Sequence, residues 1–365
     1  MMKFLYQKGC ELKVFAYENV QGIKEYKNER FAIAKYSFPE RKDNKLTKLI
    51  KYLRFNLAIV LGLLKVRPDV ILYYEPYSAV PVYWYLKLFK PDARLFIHYH
   101  EYYPPEHFLD KGMEVARLGN KCERKYLYDK AEWISYTNEE RMVLFLKDNP
   151  GVSSVKVRAM PNYPPEVWKG RIEEKVTDKR GGDGVYRCVY AGALSFHDTY
   201  IKEFCKWVLR QAGKVQFDIY SFNAQPEVEE YLEGLKSTQI NYFRGGVEYN
   251  TLPRILSNYD AGLVLYKCNT VNYVWNVPNK VYEYLVCGLD VWFPREMEGA
   301  KSLKREDAYP KVIEVDFKAL GDYNLEQLFS REGLEYKPYS FSCEEVYEEL
   351  WEEMCKRGKG TGDRG

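Results

Sequence analysis

The chain lacks any apolar run long enough to cross a bilayer. Its longest, Leu57 to Leu64, falls far short of the roughly 20 residues that a spanning helix needs. It also lacks an excess of one charge. Lys and Arg number 55 against 52 Asp and Glu, a net charge of +3, so charge gives no argument for nucleic acid as a partner. Paired cysteines are missing too. The eight (Cys10, Cys122, Cys188, Cys205, Cys268, Cys287, Cys343 and Cys355) are scattered without C-x-x-C spacing. Free thiols in a reducing, cytoplasmic compartment are the expectation. The opening stretch Met1–Lys8 has neither a long apolar core nor a cleavage site, so no secretory signal is expected in it. Histidine is sparse, with only four in the chain.

What is present is an ordinary globular balance of 46% hydrophobic and 29% charged residues, which excludes a disordered chain. The length of 365 residues favours two domains. Aromatic content is high, at 16% with 34 tyrosines, which fits either stacking surfaces for sugars or bases or a bias of composition.

Short β-rich runs alternate with helical patterns, the pattern of parallel α/β sheets. Strands are expected at 11–17, 69–74, 94–99, 132–136 and 155–160, and again at 186–190, 216–221, 240–243, 261–265, 290–293 and 312–315. The charged, glycine-rich stretch Glu173–Gly184 reads as a linker or exposed loop. Two Rossmann-like doubly wound domains facing a cleft follow, over residues 1–165 and 166–340, with a C-terminal helix and disordered tail over 341–365. Ser342 and Glu344/Glu345 start that helix, and Val346, Leu350 and Met354 form its stripe. A doubly wound domain normally opens with a strand and a glycine loop. Here Met1–Lys8 is helix-like and a strand follows only at 11–17, so the first domain is expected to lack its first strand.

Ligands of open α/β sheets bind beyond the carboxyl ends of the strands. Those positions carry Glu75-Pro76-Tyr77-Ser78, His98-Tyr99-His100-Glu101 and Thr137-Asn138-Glu139-Glu140 in the first half. In the second half they carry Gly192-Ala193-Leu194-Ser195, Asn223, Gly245-Gly246 and the segment Lys267–Lys280. A helix beginning near Pro278-Asn279 presents unpaired N–H groups and partial positive charge, and Lys280 in its first turn adds a full charge for a diphosphate. Glu283, three residues on, shares that face. The structural alternative is a charge pair that merely suits the helix dipole.

The segment Asn276-Val277-Pro278-Asn279-Lys280-Val281-Tyr282-Glu283-Tyr284-Leu285-Val286-Cys287-Gly288 resembles the donor-binding motif of GT-B retaining glycosyltransferases of family 4. His100-Glu101-Tyr102-Tyr103-Pro104, Thr137-Asn138-Glu139-Glu140-Arg141, Met160-Pro161-Asn162-Tyr163-Pro164, Tyr190-Ala191-Gly192-Ala193-Leu194 and Arg244-Gly245-Gly246-Val247 are similar to that family's other landmarks, in the same order. The resemblance implies transfer of a sugar from a nucleotide diphosphate sugar, UDP- or GDP-linked, to a saccharide or lipid-linked saccharide with retention. It implies a role in cell-surface polysaccharide synthesis, no obligatory metal, and no cofactor beyond the nucleotide sugar as co-substrate. It implies Glu283 on the ribose hydroxyls and His100 at the donor sugar as the catalytic pair. Gly192 and Lys202 would lie at the pyrophosphate, Val247 at the base edge, and Asn279 and Lys280 at the diphosphate; where the family glutamate is replaced by Trp275, Asn272 and Asn276 are the candidate partners of a sugar hydroxyl.

Two departures from the family pattern open other readings. His98 stands in place of an aspartate, and Trp275 in place of a glutamate expected to contact the donor sugar. Trp275 and the absent first strand motivate a non-catalytic GT-B binding module or partner subunit. His98 and His100, alternate on one strand, motivate a zinc hydrolase. Lys42–Lys65 interleaves basic residues with leucines, which reads either as a membrane-surface helix, placing the protein peripherally on the inner face of the cell membrane, or as a sheet-covering helix with a basic edge. The all-round apolar stretch Leu57–Leu64 argues for burial of that half. The tyrosines around Trp84 read as core packing or as an acceptor wall.

Overall fold

A computed structural model describes residues 1–17, 30–36, 43–171 and 184–356 of the chain. The Glu173–Gly184 stretch except its last residue, Lys42, and the tail beyond Lys356 lie outside the described residues. The chain forms two compact units, Pro161–Cys343 and a first unit that joins Met1–Met160 to the helix from Glu344 onward.

In the first unit, strands β1 (Leu12–Tyr17) and β2 (Phe31–Tyr36) pair in parallel as a separate two-stranded sheet. The main sheet is parallel and four-stranded, β3 (Val70–Tyr74), β4 (Arg94–Tyr99), β5 (Ala131–Tyr136) and β6 (Val157–Ala159), in that spatial order. A helix, Met2–Gln7, precedes β1, as the opening pattern predicts. The strand β2 has no counterpart in the sequence reading.

The helix Lys45–Val66 starts where the Asn44 side chain accepts the Thr47 N–H at 2.8 Å. It buries Tyr52, Phe55, Ile59 and Leu63 on one stripe. A second apolar stripe faces outward. Leu46, Leu49, Ile50, Leu53, Leu57 and Leu61 are each about half exposed or more. This corrects the expected burial of the Leu57–Leu64 half, because the stripe that packs is the one carrying Ile59 and Leu63. The nearby tyrosines are divided. Tyr73, Tyr83 and Tyr85 are buried, Tyr74 and Tyr77 are half-buried, and Trp84 is 49% exposed. Tyr73 and Tyr99 give their hydroxyls to the fully buried Glu123 at 3.1 and 2.7 Å. Tyr73 and Tyr99 are therefore core residues that also satisfy a buried carboxyl group.

The C-terminal helix, Cys343–Cys355, packs its Leu350, Val346 and Met354 on Phe96, Trp133 and Met160 of the first unit. Arg94 clasps its end, donating to the carbonyls of Glu353, Met354 and Lys356 at 2.7–2.8 Å.

The second unit is a six-stranded parallel sheet: β7 (Tyr186–Ala191), β8 (Val215–Ser221), β9 (Ile240–Arg244), β10 (Ala261–Leu263), β11 (Asp290–Pro294) and β13 (Val312–Val315). A minor pair, β12 (Ala308–Tyr309) and β14 (Glu335–Tyr336), stands apart from it. The spatial order β13-β11-β10-β7-β8-β9 is a doubly wound sheet whose winding reverses between β7 and β10. Ligands of such sheets bind beyond the strand ends at that reversal. The central strands β10 and β11 are buried along their whole length, as in a parallel sheet covered on both faces. Asp290, a polar exception at the foot of β11, is buried and pairs with Arg331 at 2.6 Å.

Candidate functional site

At the reversal point of the second unit, β7 ends in Tyr190-Ala191 and the chain turns at Gly192. The helix Asn279–Val286 packs below, and its Tyr284 hydroxyl accepts the Ala191 N–H at 3.0 Å. The helix begins at Pro278, which has no side chain to cap it, so its first N–H groups lack an N-cap side-chain acceptor. Lys280 in the first turn is buried, and its Nζ lies 3.9 Å from the centre of the Tyr190 ring and 5.0 Å from that of Tyr266. Among the described residues this ammonium has no hydrogen-bond partner.

Gly192 makes room for it. Its φ is +151°, and a Cβ there would fall 2.6 Å from the Lys280 Nζ. Its N–H donates to the Tyr220 carbonyl at 3.0 Å, and the missing side chain leaves space for the lysine.

Glu283 lies one turn further along, also buried, with the Tyr249 hydroxyl donating to it. Burial pulls Lys280 down to about 7 and pushes Glu283 up to about 7, while each charge opposes the shift of the other. The result is an ammonium and a carboxyl group held on one helix face with little water. The ammonium has unused donors, the chemistry that an oxyanion ligand would satisfy.

The remaining residues expected at the donor sit at several places in the second unit. Asn279 is exposed at the helix start and Asn272 is half-buried in the short helix Val271–Val274. Val247 is half-buried against the core behind the Asn279–Val286 helix. Lys202 is exposed, with its Nζ 5.5 Å from the Phe196 ring and 5.9 Å from the Tyr231 ring. The cation beneath the Gly192 turn is Lys280, not Lys202. Trp275 ends the helix that bears Asn272, and its carbonyl packs where a Cβ on Gly299 would come within 2.7 Å.

In the first unit, polar groups gather at the carboxyl ends of β3, β4 and β5. The His100 ring stacks on Tyr74 with centres 5.2 Å apart and remains 49% exposed. Burial lowers its pKa, so the imidazole is largely neutral at neutral pH. Arg141 donates to the His100 carbonyl and, at 2.8 Å, to the Thr137 hydroxyl. Asn138 caps the helix Glu139–Asp148 by accepting the Arg141 N–H at 2.9 Å. His98 faces inward, buried, with Nδ1 2.9 Å from the Ser135 hydroxyl. Among the described residues no group of three His, Cys, Asp or Glu side chains is placed to hold a metal ion. The zinc reading of His98 and His100 therefore has no donor set.

Glu75, which the sequence offers only as part of a loop, proves central here. It follows β3 with φ +60° and ψ 156°, a conformation almost confined to glycine. Its Oε1 accepts the N–H groups of His100 at 2.7 Å and Glu101 at 3.3 Å.

No protein-family model matches the chain, and no curated protein matches it. Solved structures do. HepE of Anabaena in complex with UDP aligns with a TM-score of 0.60 at 10% identity, over 94% of this chain and 99% of that one. The same protein with UDP-glucose gives 0.59 at 12%, over 94% and 99%. A trehalose-6-phosphate synthase studied for glycosyltransfer with retention gives 0.57 at 14%, over 96% of this chain and 91% of that one. At such identities the likeness speaks for the fold, and the fold is that of the two-domain, Rossmann-like GT-B proteins.

Proposed function

We propose that the chain is a glycosyltransferase that moves a sugar, with retention, from a nucleoside diphosphate sugar to a hydroxyl of a saccharide or lipid-linked saccharide. The observation that carries this reading is the buried Lys280 ammonium, which among the described residues has no hydrogen-bond partner, beneath Gly192 and one turn from Glu283. In this role Lys280 and the start of its helix meet the diphosphate, and the Glu283 carboxylate accepts the ribose hydroxyls. UDP is the nucleotide to try first, since HepE is solved with UDP and with UDP-glucose.

In the transfer, the bond from the sugar C1 to the β-phosphate oxygen breaks and a bond from C1 to the acceptor oxygen forms on the same face. The acceptor proton passes to the departing phosphate oxygen. The nucleoside diphosphate leaves, and no protein nucleophile is consumed. The work left to the protein is to stabilise charge growing on the diphosphate, which Lys280 supplies, and to hold the pose, which falls to His100. No metal is assigned a part.

The outward stripe of the Lys45–Val66 helix supports a membrane-surface role in this scheme. Leu49, Leu53 and Leu57 would enter the headgroup boundary, with Lys48 and Arg54 meeting anionic lipid. No described helix is long and apolar enough to cross a membrane.

The test is thermal unfolding with UDP, GDP, UDP-glucose and GDP-mannose, for wild type and Glu283→Ala. A ligand at about 100 times its Kd adds roughly 2.7 kcal/mol to the folded state, a rise of several degrees. A rise with one nucleotide that Glu283→Ala abolishes is the expected result. A cooperative melt that no nucleotide moves would refute the donor site. Binding without release of UDP from UDP-glucose would favour the non-catalytic module.

A further inference from the structure

Glu75 combines two costs in one residue. Its backbone lies at φ +60° and ψ 156°, where a non-glycine residue costs on the order of 1–3 kcal/mol. Its Oε2 is buried and, among the described residues, has no hydrogen-bond partner. Strain of this kind persists only where the surroundings over-determine it, and here they do. Oε1 accepts the N–H groups of His100 and Glu101, the two residues that leave β4. The Glu75 N–H donates to the His98 carbonyl at 3.2 Å, which ties the same two chain segments a second time.

We propose that Glu75 is the positioning residue of His100: its carboxyl group, through Oε1, holds the turn after β4 in the one shape that presents the imidazole, stacked on Tyr74. This rests on the glycosyltransferase reading, in which His100 meets the donor sugar. Glu75 itself touches no substrate. Burial raises the Glu75 carboxyl to about 8, so it is neutral at pH 7 and offers a carbonyl-like Oε1 to the two N–H groups. A glutamine amide offers the same acceptor.

The test uses the full chain and UDP-glucose as donor probe, reading UDP release. Glu75→Gly removes the carboxyl group while relieving the backbone, so the fold should survive. Its kcat is expected to fall at least tenfold, with the KM for UDP-glucose and the UDP-induced thermal shift unchanged. Glu75→Gln is expected to stay within threefold of wild type. In the double variant with His100→Ala, Glu75→Gly should add no further loss, because it acts only through that ring. Wild-type kcat in Glu75→Gly, additive losses in the double variant, or an equal loss in Glu75→Gln would overturn the proposal.

If wild type binds UDP but releases none from UDP-glucose, the reading of function fails on its own. Hydrogen exchange then judges Glu75. The His100 and Glu101 amides must be protected in wild type and Glu75→Gln, and unprotected in Glu75→Gly. Unchanged protection in Glu75→Gly would overturn the proposal by that route.

Discussion

Replacing Lys280 by methionine should move stability and nucleotide affinity in opposite directions. The ammonium is buried over Tyr190 and has no hydrogen-bond partner among the described residues. Burial takes its pKa from 10.5 to about 7. A shift of that size means that folding at pH 7 is opposed by on the order of 4 kcal/mol at this one group. The sign follows from proton counting. The unfolded chain binds the proton more tightly than the folded one, so the cost is fully present below pH 7. It fades as pH rises and is gone above the unfolded pKa of 10.5.

Methionine fills nearly the same volume without the charge, but it leaves Glu283 without its cation, which offsets part of the gain. A net stabilisation of about 1–3 kcal/mol is expected, less than the cost of the buried ammonium because the Glu283 carboxyl must then be held neutral without a cation beside it. In a unit of this size that raises the Tm by roughly 2–10 °C. The same variant gives up a charge-assisted bond to the diphosphate, about 1.5–3 kcal/mol, or roughly 10–150-fold in affinity for UDP. Scanning calorimetry at pH 7 and pH 10 with and without UDP measures both. A variant that melts below wild type at pH 7, or one that binds UDP equally well, refutes the reasoning.

Three further outcomes follow from packing. In Gly262→Ala a Cβ on β10 would lie 2.2 Å from the Tyr284 ring, so the sheet or the helix bearing Lys280 must shift; a loss of at least 2 kcal/mol is expected by urea unfolding. Asn138→Ala removes the cap of the Glu139–Asp148 helix, and a loss of about 1 kcal/mol is expected, measured the same way. Leu53→Asp with Leu57→Asp should abolish sedimentation with vesicles containing phosphatidylglycerol while leaving the Tm within a degree or two, since both side chains are more than half exposed. Equal sedimentation would remove the membrane surface from the account.

The strands of both main sheets were legible in the sequence to within a residue or two, because they are short runs rich in β-branched and aromatic residues that alternate with helical patterns. β2 was not, since Phe31–Tyr36 is a short run in which alanines alternate with larger residues, and it belongs to a separate pair of strands. That Lys280 and Glu283 share one helix face was legible because a helix started at a proline puts residues three apart on the same side. The role of Gly192 was only half legible. Sequence marks a glycine at a turn, but what occupies the space beside it comes from a residue 88 positions away. Asp290 shows the same limit, because its partner Arg331 lies 41 positions away in a loop. Glu75 carried no signal at all, since a left-handed φ at a glutamate is set by the contacts around it.

The central claim is that a nucleoside diphosphate binds at Lys280 and Glu283, and a crystal structure of the full chain grown with UDP tests it most directly. The account predicts diphosphate oxygens within about 3 Å of the Lys280 Nζ and ribose hydroxyls on the Glu283 carboxylate. UDP bound elsewhere, or the Lys280 ammonium still without a partner in crystals saturated with UDP, would contradict it.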